Sequence, residues 1–194
     1  MRKGYSLSLI VCLCLVGIGN HVQGAVKPSE PCFCECPCEA QPIADIRAEL
    51  LAVASTQVGV SEKTGNNDGE QVELYQSATG NRRGDQWCAS FVAWCYKQTG
   101  MTHTGNAWSP SWFPADQIIY KPSAGVLLTP QPGDVFGVWV QSKGRVGHVG
   151  LIYEWGDDMV TTIEGNYSNK VVKQRRVKRQ VYVASDWVSN QSTI

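Results

Sequence analysis

Pro132-Gly133-Asp134-Val135-Phe136-Gly137-Val138-Trp139-Val140 marks the point at which the chain changes period. Pro-Gly-Asp is a turn signal, and beyond it the pattern turns from helical to alternating. Val135 to Val140 reads as a strand, and so do Gly147 to Trp155, Met159 to Asn166, Val171 to Val177 and Val181 to Val188. Five such runs with short connections predict an antiparallel sheet. Upstream, Ile46, Leu50, Val53 and Ala54 recur at helical spacing between Pro42 and Gly59, and Val72, Leu74, Tyr75 and Ala78 form a shorter pattern that stops at Gly80. A third helix is expected over Gln86 to Gln98, with Asp85 as its N-cap and Thr99-Gly100 at its end. Helices first and strands afterwards give an α+β fold in which the helical half packs on one face of the sheet. The polar stretch 65–69 reads as a loop able to line a cleft, and residues 103–120, rich in Trp, Pro and Ser, as a loop with a short helix.

The 194 residues suit one ordinary domain once the first forty are set aside. Seventeen basic residues balance seventeen acidic ones, which argues against nucleic acid as the main partner. Arg2 and Lys3 precede an apolar run from Leu7 to Ile18 that is short for a membrane span, so residues 1–24 read as a signal peptide. Residues 25–42 then form a Cys/Pro-rich linker and 43–194 the catalytic domain. A secreted, periplasmic or cell-envelope location follows, with no stable membrane span after removal of the signal, and a monomer is expected. Cys32, Cys34, Cys36 and Cys38 alternate with other residues in the linker. Four thiolates match a soft metal in number, but the spacing lacks the C-x-x-C turns of zinc sites, and local or intermolecular disulfides in a tether are the preferred reading.

Cys88 and Cys95 belong to the domain. Seven helical residues separate their Cα atoms by about 10 Å, beyond the reach of a disulfide. Cys95 is therefore assigned to the core. Cys88 falls in the first turn of the third helix, where unsatisfied N–H groups favour a thiolate and are available to an oxyanion. His148 opens a strand with glycines on both sides, whereas His103 lies in an unpatterned loop and His21 in the signal. If the hairpin turns through the three residues Gly156-Asp157-Asp158, His148 lies opposite Asn166 and diagonal to Glu164, all on one face. A two-residue loop would put the pair on opposite faces. In the three-residue register Glu164 orients one ring nitrogen of His148 while the other serves Cys88.

Four blocks occur in order: Gly84-Asp85-Gln86-Trp87-Cys88-Ala89-Ser90-Phe91-Val92, Pro132-Gly133-Asp134-Val135, Gly147-His148-Val149-Gly150-Leu151-Ile152 and Ile163-Glu164-Gly165-Asn166. With them the chain resembles the CHAP family, the cysteine- and histidine-dependent amidohydrolases and peptidases of the papain-like cell-wall hydrolases. The resemblance implies a papain-like fold and hydrolysis of a peptidoglycan amide, either the muramoyl–alanine bond or a peptide bond. It implies Cys88 as nucleophile, His148 as base, and Glu164 and Asn166 as the orienting pair, with no metal or organic cofactor. The linker has no counterpart in the family pattern, and no wall-binding repeat accompanies the domain.

Asp85 and Trp87 beside the nucleophile, and Trp108 and Trp112 in the loop, are the candidate substrate-binding residues; the two loop tryptophans suit either sugar stacking or core packing. The acid-free stretch Lys170, Lys173, Arg175, Arg176, Lys178 and Arg179 suits an anionic polymer, but is read here as a solvated edge strand guarded by its charges. Two other functions fit the pattern less well: a cysteine protease or amidase on a non-wall substrate, and a non-catalytic wall-binding protein.

Overall fold

The computed structural model describes residues 42–189 and residue 191. The expected signal peptide, and the expected cysteine-rich linker up to residue 41, lie outside the described residues.

Three helices precede the sheet: α1 (Ile43–Thr56), α2 (Glu70–Ser77) and α3 (Cys88–Gln98). The strands are β1 (Ile118–Lys121), β2 (Val126–Leu127), β3 (Val135–Val140), β4 (Arg145–Trp155), β5 (Met159–Tyr167), β6 (Lys170–Val177) and β7 (Val183–Ser185). They form one antiparallel sheet in the order β2-β1-β7-β3-β4-β5-β6. The fold is thus α+β, with helices packed on one face of an antiparallel sheet, as expected. Leu50, Val72, Tyr75, Phe91, Val92 and Cys95 from the helices share a buried cluster with Val135, Val149, Leu151 and Ile163 from the sheet. A smaller cluster on the opposite face joins Phe136, Ile152, Val160, Val181 and Ala184.

Three expectations about the elements are corrected. Cys88 is the first residue of α3, with Trp87 in the cap position. The Asp85 carboxylate instead closes the preceding turn by accepting the Arg82 N–H at 2.8 Å. The loop expected over 103–120 ends in β1, which pairs with β2 and β7. The last strand stops at Ser185 rather than Val188, because the Asp186 carboxylate accepts the N–H groups of Val188 (2.9 Å) and Ser189 (3.0 Å) and turns the chain.

The hairpin between β4 and β5 decides which residues face one another. Its tip holds two residues, Asp157 and Asp158, because Gly156 N–H reaches Met159 O at 3.0 Å. That tip alone would turn His148 and Glu164 to opposite faces. Trp155 pairs with Val160 and Glu154 with Thr161, but Ile152 pairs with Thr162 and Leu151 with Ile163, so Tyr153 is an extra residue on β4. The bulge restores the register that a three-residue turn would have set.

Candidate active site

The site forms where the start of α3 meets the sheet between β4 and β5. Close approach there depends on Gly165, where a Cβ would stand 2.5 Å from Phe91 Cβ and 3.0 Å from the Trp87 ring. The first bond within α3 runs from Phe91 N–H to Trp87 O at 2.8 Å. The N–H groups of residues 88–90 therefore have no acceptor inside the helix, which leaves the N-terminal turn electropositive around Cys88.

Cys88 is largely buried, at 7% exposure. Burial pushes its thiol up, but the hydrogen bond and charge of His148 pull it down further, helped by Ser109 and the Val149 backbone, to about 7. Burial pulls His148 down, and its interactions with Cys88 and Glu164 reverse this, raising it to about 9. A thiol more acidic than the neighbouring imidazolium gives up its proton to it, so at pH values between the two the pair is thiolate and imidazolium.

His148 Nε2 lies 2.7 Å from Glu164 Oε2, which leaves the other ring nitrogen for the sulfur. Glu164 is fully buried and saturated with donors. Thr162 Oγ1 (2.5 Å), Gln174 Nε2 (3.0 Å) and Arg176 Nε (2.5 Å) all donate to its Oε1, and Arg176 Nη2 also bonds Oε2. Burial pushes this carboxyl up, but bonds from His148 and Arg176 hold it well below the usual carboxylate range. Arg176 is itself held between rings, its guanidinium carbon 5.5 Å from the Phe136 centroid and 5.2 Å from that of Tyr167. The basic stretch is thus an edge strand with Lys170, Lys173 and Arg175 exposed, as read, except that Arg176 turns inward to the site. Alternation accounts for this, because on β6 residues 172, 174 and 176 share the face of Glu164, with Glu164 opposite Val172.

Asn166 is not brought to the His148 ring. The β5–β6 ladder shifts after Glu164, and Asn166 adopts φ +55°, so strict alternation ends one residue short of it. Its amide sits at the start of α3 instead. With its oxygen toward the Trp87 N–H (3.0 Å) and its nitrogen toward Glu62 Oε1 (3.3 Å), both ends are satisfied. Glu62 also accepts Trp87 Nε1–H at 2.8 Å and Asn67 N–H at 2.9 Å, completing a brace under the start of α3.

Of the four candidate substrate-binding residues, two are core. Trp87 and Trp112 are fully buried. Trp87 stacks on Tyr75, with centroids 5.5 Å apart, and Trp112 donates Nε1–H to Asn106 O at 3.0 Å and packs edge-on to Trp187. Their size and apolar rings served the core, which residue type alone does not distinguish from a binding face. Asp85 is exposed in its turn, and Trp108 is exposed beside the site. Ser109, a residue with no sequence signal, is buried with its Oγ 3.8 Å from Cys88 Sγ. His103 bonds Gly105 O at 2.9 Å and stacks on Trp112, so it is satisfied in its loop. Cys95 is a buried free thiol, raised well above the ordinary value by burial. A concavity of about 610 Å³ along α1 beside Tyr153 contains none of the residues around Cys88.

Residues 79–166 match the family model of the CHAP domain. Among solved structures the chain is similar to the peptidoglycan hydrolase RipB from Mycobacterium tuberculosis, at 15% identity and TM-score 0.48, over 75% of this chain and 66% of that one. It is also similar to Ly7917, solved with the hydrolyzing product of MDP, at 18% identity and TM-score 0.40, over 73% of this chain and 63% of that one. The chain spans about two thirds of the length of these two proteins. No curated protein matches it in sequence. Among the described residues, no helix is long and apolar enough to cross a membrane.

Proposed function

We propose, from the match of residues 79–166 to the CHAP domain model and from the site's geometry, that the chain is a secreted peptidoglycan hydrolase that cleaves an amide bond with Cys88 as nucleophile and His148 as its acid and base. The observation that carries this reading is a thiol at a helix N-terminus, lowered to about 7 by an imidazole that a buried, ionised Glu164 holds in place.

The thiolate attacks the amide carbonyl carbon, and the electron pair of the C=O bond moves to oxygen. N–H groups at the start of α3 stabilise that oxyanion. Collapse breaks the C–N bond, and the His148 imidazolium gives its proton to the departing amine. The neutral imidazole then takes a proton from water, whose oxygen attacks the thioester, and the thiol leaves as thiolate beside a regenerated imidazolium. Glu164 keeps the ring oriented throughout and offsets its charge. Asn166 serves this chemistry from a distance, by bracing the start of α3. Both the muramoyl–alanine amide and the peptide amides of the wall suit this machinery.

The test is digestion of purified peptidoglycan by the mature domain and by Cys88→Ala, with products identified by mass spectrometry. Soluble fragments from the unsubstituted domain alone are expected, and their masses name the bond. Absence of fragments from both, with a thiol that still reacts, would move the function to another amide substrate.

A further inference from the structure

The segment that carries Ser109 is clamped to the rest of the domain. Ser109–Trp112 is a single short 3-10 helix with Pro110 in its first turn. A Cβ on Gly105 would stand 2.5 Å from the Trp112 ring, and Trp112 O accepts Ser185 Oγ–H at 2.7 Å and Trp187 Nε1–H at 3.0 Å. Two serines lie in this segment, and their hydroxyls are used differently. Ser111 Oγ accepts the Asn106 N–H at 2.9 Å and donates to Trp108 O at 2.8 Å, so it holds the turn together. Ser109 is buried, and among the described residues the one hydrogen bond of its Oγ runs to Cys88 Sγ, at 3.8 Å.

A thiolate is a strong acceptor, whereas the uncharged sulfur of a thioester is a poor one. The other hydrogen bonds to Cys88 come from His148 and from the Val149 backbone. His148 gives up and regains its proton during turnover, but a serine hydroxyl keeps its own. Ser109 is therefore the side-chain donor that stands ready whenever charge returns to the sulfur. While Cys88 is acylated, this hydroxyl is buried beside an acceptor that has lost its charge, and the cost of that is relieved when the C–S bond breaks.

We propose that Ser109 is a catalytic residue of the second half of the reaction, a donor that makes Cys88 a better leaving group from its own thioester. This rests on the assignment of Cys88 as nucleophile. In that step the neutral His148 imidazole takes a proton from water, and the water oxygen bonds the thioester carbonyl carbon as the C=O pair moves to oxygen. That pair then returns, the C–S bond breaks with its electrons on sulfur, and Ser109 O–H donates to the developing charge without losing its proton. In the first half of the reaction the same bond works in the opposite sense, because the thiolate must loosen it to attack. The hydroxyl thus favours departure of the sulfur over its attack.

Acetylation by p-nitrophenyl acetate separates the two steps and needs no wall substrate. At pH 9, well above the Cys88 value of about 7, release of nitrophenolate follows acylation, and the intact mass of the protein follows loss of the acetyl group from Cys88. Ser109→Ala is expected to slow that loss by roughly tenfold, the worth of one hydrogen bond to a charged group, while acylation stays as fast as before or becomes faster. Ser109→Thr and Ser109→Val have nearly the same bulk and differ by the hydroxyl, so the threonine variant should lose its acetyl group faster than the valine variant by a similar factor. Deacylation that is unchanged in Ser109→Ala, or slowed only as much as acylation, would make Ser109 a packing residue and overturn the proposal; equal deacylation of the threonine and valine variants would do the same. If the unsubstituted protein takes no acetyl group on Cys88, the nucleophile assignment itself falls, and the proposal with it.

Discussion

Two protons govern the site at the scale of single residues. Cys88 titrates at about 7 and His148 at about 9, each displaced by the other against the effect of burial. In the proposed mechanism hydrolysis needs the thiolate to attack and the imidazolium to release the amine, so its rate should rise through pH 7 and fall through pH 9. Alkylation needs only the thiolate, so it should rise through pH 7 and show no descending limb. Parallel pH profiles of the two rates check this, and a coincident fall in both would contradict it. Arg176 adds a second positive charge to the Glu164 carboxylate that His148 also holds. Arg176→Met removes that cation, so the imidazolium is held more tightly and the descending limb of hydrolysis should move to higher pH. Arg176→Lys keeps the charge and should leave the limb near its place, although it loses the two-pronged contact. A limb that stays put in Arg176→Met would make Arg176 a packing residue only.

Elements bring these groups into range, and two local departures from regularity do the positioning. The bulge at Tyr153 compensates for a two-residue hairpin tip, and the positive φ of Asn166 turns its amide from the sheet to the helix start. Between them Gly165 lets β5 approach α3, with Phe91 and Trp87 filling the space a side chain would take. Gly165→Ala forces those rings or the strand to move, at a cost of about 1–3 kcal/mol. Urea unfolding of the variant measures that loss. The same shift should carry Glu164 and His148 away from Cys88, so the midpoint of thiol alkylation should rise toward that of an ordinary thiol. Unchanged stability and an unchanged midpoint would mean that the contact is slack.

Across the whole molecule, Arg47 links three distant segments. Its guanidinium bonds Asp134 Oδ1 (2.6 Å) and Pro132 O (2.8 Å) at the entry to β3, and Asp186 Oδ1 (2.9 Å) near the end of the described chain. Arg47→Met should destabilise the domain by about 3–5 kcal/mol, because it strands a buried carboxylate. Asp134 is raised to about 6, by burial against the pull of its Gln131 backbone bond and of Arg47. A carboxyl whose folded pKa lies above its unfolded value favours the native state below the unfolded value, and that contribution is lost as pH rises through the folded one. Removing Arg47 raises the folded value further, so the deficit should be larger at pH 8 than at pH 5. Denaturation midpoints at the two pH values test both the size and the sign.

What the sequence determined by itself was whatever depends on neighbours along the chain. Period set the helices and the main strands along the chain; a helix beginning close to Cys88 and the glycine-flanked His148 were visible as local patterns, and alternation put Glu164 on the face of the ring. Tertiary structure alone decided matters that depend on which segments meet. Trp87 and Trp112 differ from Trp108 only in what packs on them, so their burial has no signature in residue type. Ser109 and Arg176 reach the site from 21 and 12 residues away along the chain from their partners Cys88 and Glu164. Arg176 lay hidden in a basic run in which Lys170, Lys173, Arg175 and Arg179 are exposed. The Tyr153 bulge carries no local signal either, since an extra residue in a strand costs little by itself and is selected by the packing of both faces it serves.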